Sequence, residues 1–363
     1  MKYPFTRPLI PPVEAWAPYL RPAYDRRYFT NFGPVEQAFT AGLERAFGRS
    51  GETCVLCCNA TVGLMSALVA LGVRGPVVTP SFTFAATLDA IYAARCEPVL
   101  CDVDADTWEC SADSIRRALG GRRPAAIMPV RTFGLIRDLT PIAELAREWD
   151  VPLVIDAAAA LGVDRLVQPE LPCRYVEVFS LHATKAFGIG EGGAMFAPEA
   201  LRERLRGAIN FGLNPDRSFD YGFNGKMAEF QAAVGLSVLD VYQAMMTARR
   251  SMVEAYADHL SDRQALSWPA DVAQSTCSTF PVLLPAEADL ERFVSRAGEL
   301  GALYRRYYFP SVAQGFRELG ASVLTPVSAD LSERMVCLPV YADATGAEQE
   351  ELLGILSEAM LQL

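Results

Sequence analysis

Between Cys54 and Phe196, short apolar runs of strand length alternate with helical stretches, and this alternation restricts the fold more than any other feature. Cys54–Cys58, Val77–Thr79, Pro98–Asp102, Ala125–Pro129, Leu153–Asp156, Val176–Ser180 and Gly193–Phe196 read as strands. Thr61–Leu71, Phe84–Ala94, Ser111–Leu119 and Leu139–Trp149 read as the helices between them, with Ser111 as an N-cap and Asp113 in its first turn. Apolar strands joined by crossover helices define an α/β fold class with a mostly parallel sheet.

The rhythm changes near Val238. Val238–Leu260 reads as one long helix, followed by the strands Phe280–Leu284 and Val336–Leu338 and the helices Leu290–Leu300 and Ala347–Leu361. The expected organisation is a large domain over 1–240 and a smaller C-terminal α+β domain over 241–363. The Pro-rich start, from Pro8 to Pro22 within a segment 1–25, is expected to cross the surface or join the small domain.

Composition removes several function classes. The chain carries 33 basic against 43 acidic residues, a net charge of −10, with no cluster of Lys/Arg suited to a phosphate backbone, so no nucleic-acid partner is expected. An anionic ligand would have to be held by local charge. The nine cysteines lack framework spacing, and Cys54, Cys57 and Cys58 have no second Cys/His pair at zinc spacing; His182 and His259 are the chain's histidines. No metal site is expected, and reduced, buried thiols suit a cytoplasmic protein. The N-terminus has no apolar run of signal-peptide type. Cys54–Val73 is interrupted by Asn59, Thr61, Gly63, Ser66 and Gly72, so it reads as a buried strand and helix rather than a membrane span.

In sheets of this class ligands gather beyond the carboxyl ends of the strands. Asn59, Pro80–Thr83, Asp156 and Ser180 all fall just past strand ends, so distant polar residues converge on one rim. Lysine is scarce: Lys2, Lys185 and Lys226 are the whole complement. Arginine stays protonated and cannot act as an amine nucleophile, whereas lysine can. Lys185 lies in Phe179-Ser180-Leu181-His182-Ala183-Thr184-Lys185, just before a glycine-rich turn. That setting points to Schiff-base chemistry with a carbonyl cofactor, while a solvated surface cation is the competing reading.

An aldehyde cofactor with a pyridine ring and a phosphate has further needs. A buried carboxylate must keep the ring nitrogen protonated; Asp156, at a strand terminus before Ala157-Ala158-Ala159-Ala160, qualifies, although an Asp there also suits a helix N-cap. Phosphate suits the strand-to-helix turn Asn59-Ala60-Thr61, where backbone N–H groups and the helix dipole converge, and Ser180 adds a hydroxyl. Phe84 offers a flat partner for the ring, or else is an ordinary core phenylalanine.

These segments, with Asn31-Phe32-Gly33-Pro34, Pro80-Ser81-Phe82-Thr83-Phe84-Ala85-Ala86-Thr87, Glu191-Gly192-Gly193 and Gly222-Phe223-Asn224-Gly225-Lys226-Met227-Ala228-Glu229, keep the order and spacing of a known family. From about Pro8 to Leu239 the chain resembles the DegT/DnrJ/StrS sugar aminotransferases, pyridoxal 5'-phosphate (PLP) enzymes of fold type I, the aspartate-aminotransferase fold. The resemblance implies that Lys185 forms the Schiff base and shuttles the proton. It implies that Asp156 pairs with the pyridine nitrogen, Phe84 stacks on the ring, and Ala60, Thr61 and Ser180 hold the phosphate. Asn224 resembles the asparagine that reaches the phosphate from a neighbouring subunit, which implies a homodimer with shared active sites.

Two positions depart from the family pattern. Ala159 stands where Gln or His usually meets the cofactor's phenolic oxygen. Arg131, in Pro129-Val130-Arg131, replaces a usual His; it is a candidate for a substrate phosphate or carboxylate, or for an ion pair with a nearby acid. Tyr304-Arg305-Arg306-Tyr307-Tyr308-Phe309-Pro310 resembles a loop of members acting on nucleotide-linked 4-keto-6-deoxyhexoses, which makes Tyr307 and Tyr308 candidate substrate contacts; an apolar edge strand with surface arginines is the alternative. The implied activity is amino transfer from glutamate to a nucleotide-diphosphate keto-deoxysugar, at C4 rather than C3. A regulatory or sensing relative with little turnover, and an aminotransferase for a non-sugar ketone such as a cyclitol, are the alternatives.

Overall fold

The computed structural model describes every residue except 1, 164–170, 172, 264–265, 287, 317–323 and 362–363. Its centre is a seven-stranded sheet of order β1-β7-β6-β5-β4-β2-β3, built from β1 (Glu52–Cys57), β2 (Pro76–Pro80), β3 (Glu97–Cys101), β4 (Ala126–Ile127), β5 (Leu153–Asp156), β6 (Tyr175–Ser180) and β7 (Gly193–Pro198). The sheet is α/β and mostly parallel, but β7 runs antiparallel to both β1 and β6. β1, β5, β6 and β7 are almost wholly buried, whereas the edge strand β3 is buried at Leu100 and Cys101. One apolar cluster, with Leu56, Ile127, Leu153 and Phe179, covers one face, and a second, with Val55, Val77, Val154 and Val178, covers the other. Alternate residues of the same strands supply the two clusters, as the period of two requires.

Local sequence explains several element ends. Asn59 caps helix Ala60–Ala70 by accepting from Val62 N at 2.9 Å. Ser111 caps Ala112–Leu119 in a reciprocal box with Ser114, and Gly120 closes it in the left-handed region at φ 55°. β4 is shorter than the expected Ala125–Pro129, because Pro129 has no N–H to continue the ladder. The long helix begins at Glu229 rather than Val238; Gln231 Oε1 accepts from Ala228 N at 3.0 Å and supplies a cap that Ala228 itself lacks.

Helices Pro34–Phe47 and Pro326–Arg334 add to the expected set. Each has its first N–H groups satisfied from far along the chain. Glu229 accepts from Val35 N and Glu36 N at 2.7 and 3.0 Å, and Asp102 accepts from Val327 N and Ser328 N at 2.9 and 2.8 Å.

After the long helix, β8 (Thr279–Leu283) pairs antiparallel with β9 (Met335–Pro339), and helices Leu290–Glu299 and Gly346–Met360 pack on them around Phe280, Leu338 and Leu352. The N-terminal segment is divided between the two sheets. Tyr3 bridges Ala302, Arg7 pairs with Asp343 and Glu348, and Tyr341 donates its hydroxyl to Pro4 O, while Leu20 and Ala23 join the core of the large sheet. Among the described residues the nine cysteines form no disulfide, no group of three metal-capable side chains occurs, and no helix is long and apolar enough to cross a membrane.

Candidate active site

A cleft of about 840 Å³ opens beyond the carboxyl ends of β1, β2, β5 and β6 and is closed on its far side by residues 305–316 and by Phe5 and Thr6. It gathers Ala60, Thr61, Phe84, Asp156, Ser180, Lys185, Arg131, Tyr307 and Tyr308 from segments far apart in sequence.

Asp156 ends β5 with 5% of its surface exposed. Its Oδ2 accepts from Thr87 Oγ1 at 2.7 Å and its Oδ1 from Ala158 N at 3.1 Å. Burial pushes its carboxyl above the usual carboxylate range, and the Thr87 hydroxyl, the Ala158 N–H and the Lys185 charge pull it back. Lys185 is half-buried, with its amino end enclosed by protein. Burial pushes it below the usual lysine value, and Asp156 partly restores it. A lysine shifted this way keeps more of its neutral, nucleophilic form near neutrality. The acid and the amine therefore act on one another inside one cleft.

The turn after β1 leaves the first N–H groups of helix Ala60–Ala70 at the cleft, with the positive end of the helix dipole. Gly193 allows this: a Cβ there would sit 2.7 Å from Asn59 C and 2.9 Å from Ala60 N. Ser180, at the end of β6, accepts from His182 N at 3.2 Å, and its hydroxyl proton has no acceptor among the described residues. Phe84, at the N-cap of Ala85–Ala93, is 59% exposed, an unusual state for a phenylalanine, and it offers its ring to the cleft.

Arg131 lines the cleft, but its guanidinium is engaged by protein groups. It is 5% exposed, its Nε lies 3.1 Å from Glu177 Oε1, and a second guanidinium nitrogen donates to Arg137 O at 3.0 Å. The ion-pair alternative holds because a guanidinium buried beside β6 needs a counter-charge. Arg305 is a second arginine of the cleft lining. It is exposed, lies over the rings of Phe5 and Tyr307 at 5.5 and 5.3 Å, and has no carboxylate partner among the described residues. Tyr307 packs edge-on to Phe5, and Tyr308 stacks on Phe133 at 5.6 Å and 2°.

Asn224 lies outside its own chain's cleft. It is exposed and accepts from Lys226 Nζ at 2.7 Å. Sequence reasoning gave no role to His182, Glu191, Thr87 or Phe5. His182 Nδ1 accepts from Thr184 N at 3.2 Å, which puts its ring proton on Nε2, 3.6 Å from Glu191 Oε1. Their neighbours in the Lys185 motif were a signal for His182 and Glu191; nothing local marks Phe5.

The donor set suits PLP: an amine for the aldehyde, a buried acid for the ring nitrogen, N–H and hydroxyl donors for the phosphate, and an exposed ring for stacking. Ala159 offers no side-chain donor to the phenolic oxygen. Fold and cleft together define a PLP-dependent aminotransferase. The DegT/DnrJ/EryC1/StrS aminotransferase profile matches residues 14–357, and the chain belongs to that family. The chain is 30% identical to the dTDP-4-amino-4,6-dideoxy-D-glucose transaminase of Shigella dysenteriae over 361 residues, covering 97% of this chain and 98% of that one. Crystallised DesI, studied with its TDP-sugar product, superposes with a TM-score of 0.87 at 29% identity, covering 96% of this chain and 90% of that one. The aminotransferase TlmJ from Streptoalloteichus hindustanus superposes with a TM-score of 0.85 at 26% identity, covering 98% of both chains.

Proposed function

We propose that the protein transfers the amino group of glutamate to the keto carbon of a nucleotide-linked 4-keto-6-deoxyhexose, giving a 4-amino sugar. The observation that carries this reading is the placement of Lys185 and the buried Asp156 in the lining of one cleft. The Shigella relative, a dTDP-sugar transaminase, and DesI, crystallised with its TDP-sugar product, support a nucleotide-sugar acceptor.

When bound, PLP supplies an aldehyde carbon and an electron-withdrawing ring. Lys185 would be the nucleophile toward that carbon and the base that moves a proton to and from the substrate carbon. Asp156 holds the ring nitrogen protonated. Phe84 covers the ring, and the Ala60 and Thr61 N–H groups with the Ser180 hydroxyl bind the phosphate. Arg305 is the local cation that an anionic nucleotide sugar requires on a chain of net charge −10. Tyr307 and Tyr308 line its path.

Asn224 serves the site of a second copy. Near it Phe211, Phe219 and Tyr221 are 56%, 71% and 37% exposed, an apolar band suited to burial in a homodimer.

The test is a panel of nucleotide keto sugars and cyclitol ketones incubated with glutamate and read by product mass. A 4-amino nucleotide sugar is expected, and Lys185→Ala must abolish it. Amination of a cyclitol alone, or undiminished turnover by Lys185→Ala, would overturn the reading.

A further inference from the structure

Two buried hydroxyls behind Asp156 have no part in the chemistry above. Thr83 and Thr87 stand one turn apart on the segment that presents Phe84, 1% and 0% exposed. Thr87 Oγ1 donates to Asp156 Oδ2 at 2.7 Å and lies 2.7 Å from Thr83 Oγ1. An ionised carboxylate only accepts, so the Thr87 proton is committed to Asp156 and Thr83 gives its own proton to Thr87. With Ala158 N on the other oxygen, the carboxylate is pinned from both sides and cannot rotate freely. Burial favours the neutral acid, and the Thr87 hydroxyl is the largest influence against it. A chain of two aligned hydroxyls in a dry setting strengthens each link.

We propose that Thr87, backed by Thr83, is a positioning pair that holds Asp156 as a fixed anion and thereby sets how tightly the chain binds PLP. The proposal rests on Asp156 being the partner of the pyridine nitrogen. The same short segment thus serves the cofactor twice, with the Phe84 ring toward the cleft and the Thr87 hydroxyl, backed by Thr83, on the acid.

The experiment reconstitutes cofactor-free protein with PLP and measures the dissociation constant from the visible absorbance of the bound cofactor. Thr87→Val keeps the shape and removes the donor; affinity falls on the order of tenfold, the worth of one hydrogen bond to a charged group. Thr87→Ser restores the hydroxyl and affinity close to wild type. In an Asp156→Ala background Thr87→Val has no further effect, because the hydroxyl acts through the carboxylate. Where Thr87→Val does not fold, Thr83→Val decides, with a smaller but measurable loss. Wild-type affinity in both valine variants overturns the proposal and leaves the role of Asp156 intact. Wild-type affinity in Asp156→Ala removes the reading on which it rests.

Discussion

Arg131→Met separates a structural cation from a substrate-binding one. Arg131 and Glu177 are 5% and 1% exposed and their charged atoms are 3.1 Å apart. Removing the guanidinium takes one partner from the buried Glu177, at a cost of up to about 3–5 kcal/mol. A third acid nearby stays out of the balance near neutrality, because it keeps its proton. Glu109 is fully enclosed, burial pushes its carboxyl up to about 8, and Arg131 is the first of the charges that offset this. The expected result is a melting midpoint lower by several degrees in calorimetry at fixed protein and cofactor concentrations. Adding Glu177→Leu should recover much of the loss, since an apolar pair of similar volume avoids the desolvation cost. The Michaelis constant for the keto sugar should stay near wild type in the double variant. An unchanged midpoint in Arg131→Met, together with a raised constant for the sugar, would refute the argument and return Arg131 to the substrate.

Other consequences lie elsewhere in the cleft and at its edges. Arg305→Ala should raise the Michaelis constant for the nucleotide sugar about 10- to 100-fold, by loss of one or two charge-assisted contacts, and leave the glutamate half-reaction unchanged; equal effects on both substrates would contradict an acceptor-specific anchor. Glu109 keeps its proton in the folded chain up to about 8 against a usual 4.5, so the folded state binds more protons across that window and stability falls as pH rises through it. The stability gained by Glu109→Gln should therefore grow from about pH 5 to about pH 8 in denaturant titrations, and a gain that shrinks would show the opposite sign. Mixing Asn224→Ala protein with Lys185→Ala protein should give activity that neither has alone, as a shared site requires; the absence of any recovery in confirmed mixed dimers would count against it.

Much of the fold was readable because parallel sheets write themselves into sequence as apolar runs separated by helices. Leu153–Asp156 is a strand as expected, and Ser111 caps its helix. Asp156, Phe84 and the Asn59–Thr61 turn were marked by their places at strand ends and Lys185 by the scarcity of lysine, and the cleft gathers them. The fate of Arg131 was not readable, because a guanidinium beside a sheet rim looks the same in sequence whether or not an acid two strands away meets it.

The sequence by itself determined the elements whose signals are local: strands with their period of two, side-chain caps one turn away, and a rare amine in a small-residue turn. The tertiary structure alone decided what is settled between distant segments. It capped two helices with Glu229 and Asp102, divided the N-terminal segment between two cores, set Phe5 beside Arg305, and placed the Thr87 hydroxyl, backed by Thr83, on Asp156. A buried charge or hydrogen-bonding group must find a partner, and which partner it finds depends on the packing of segments that the local pattern leaves unpaired.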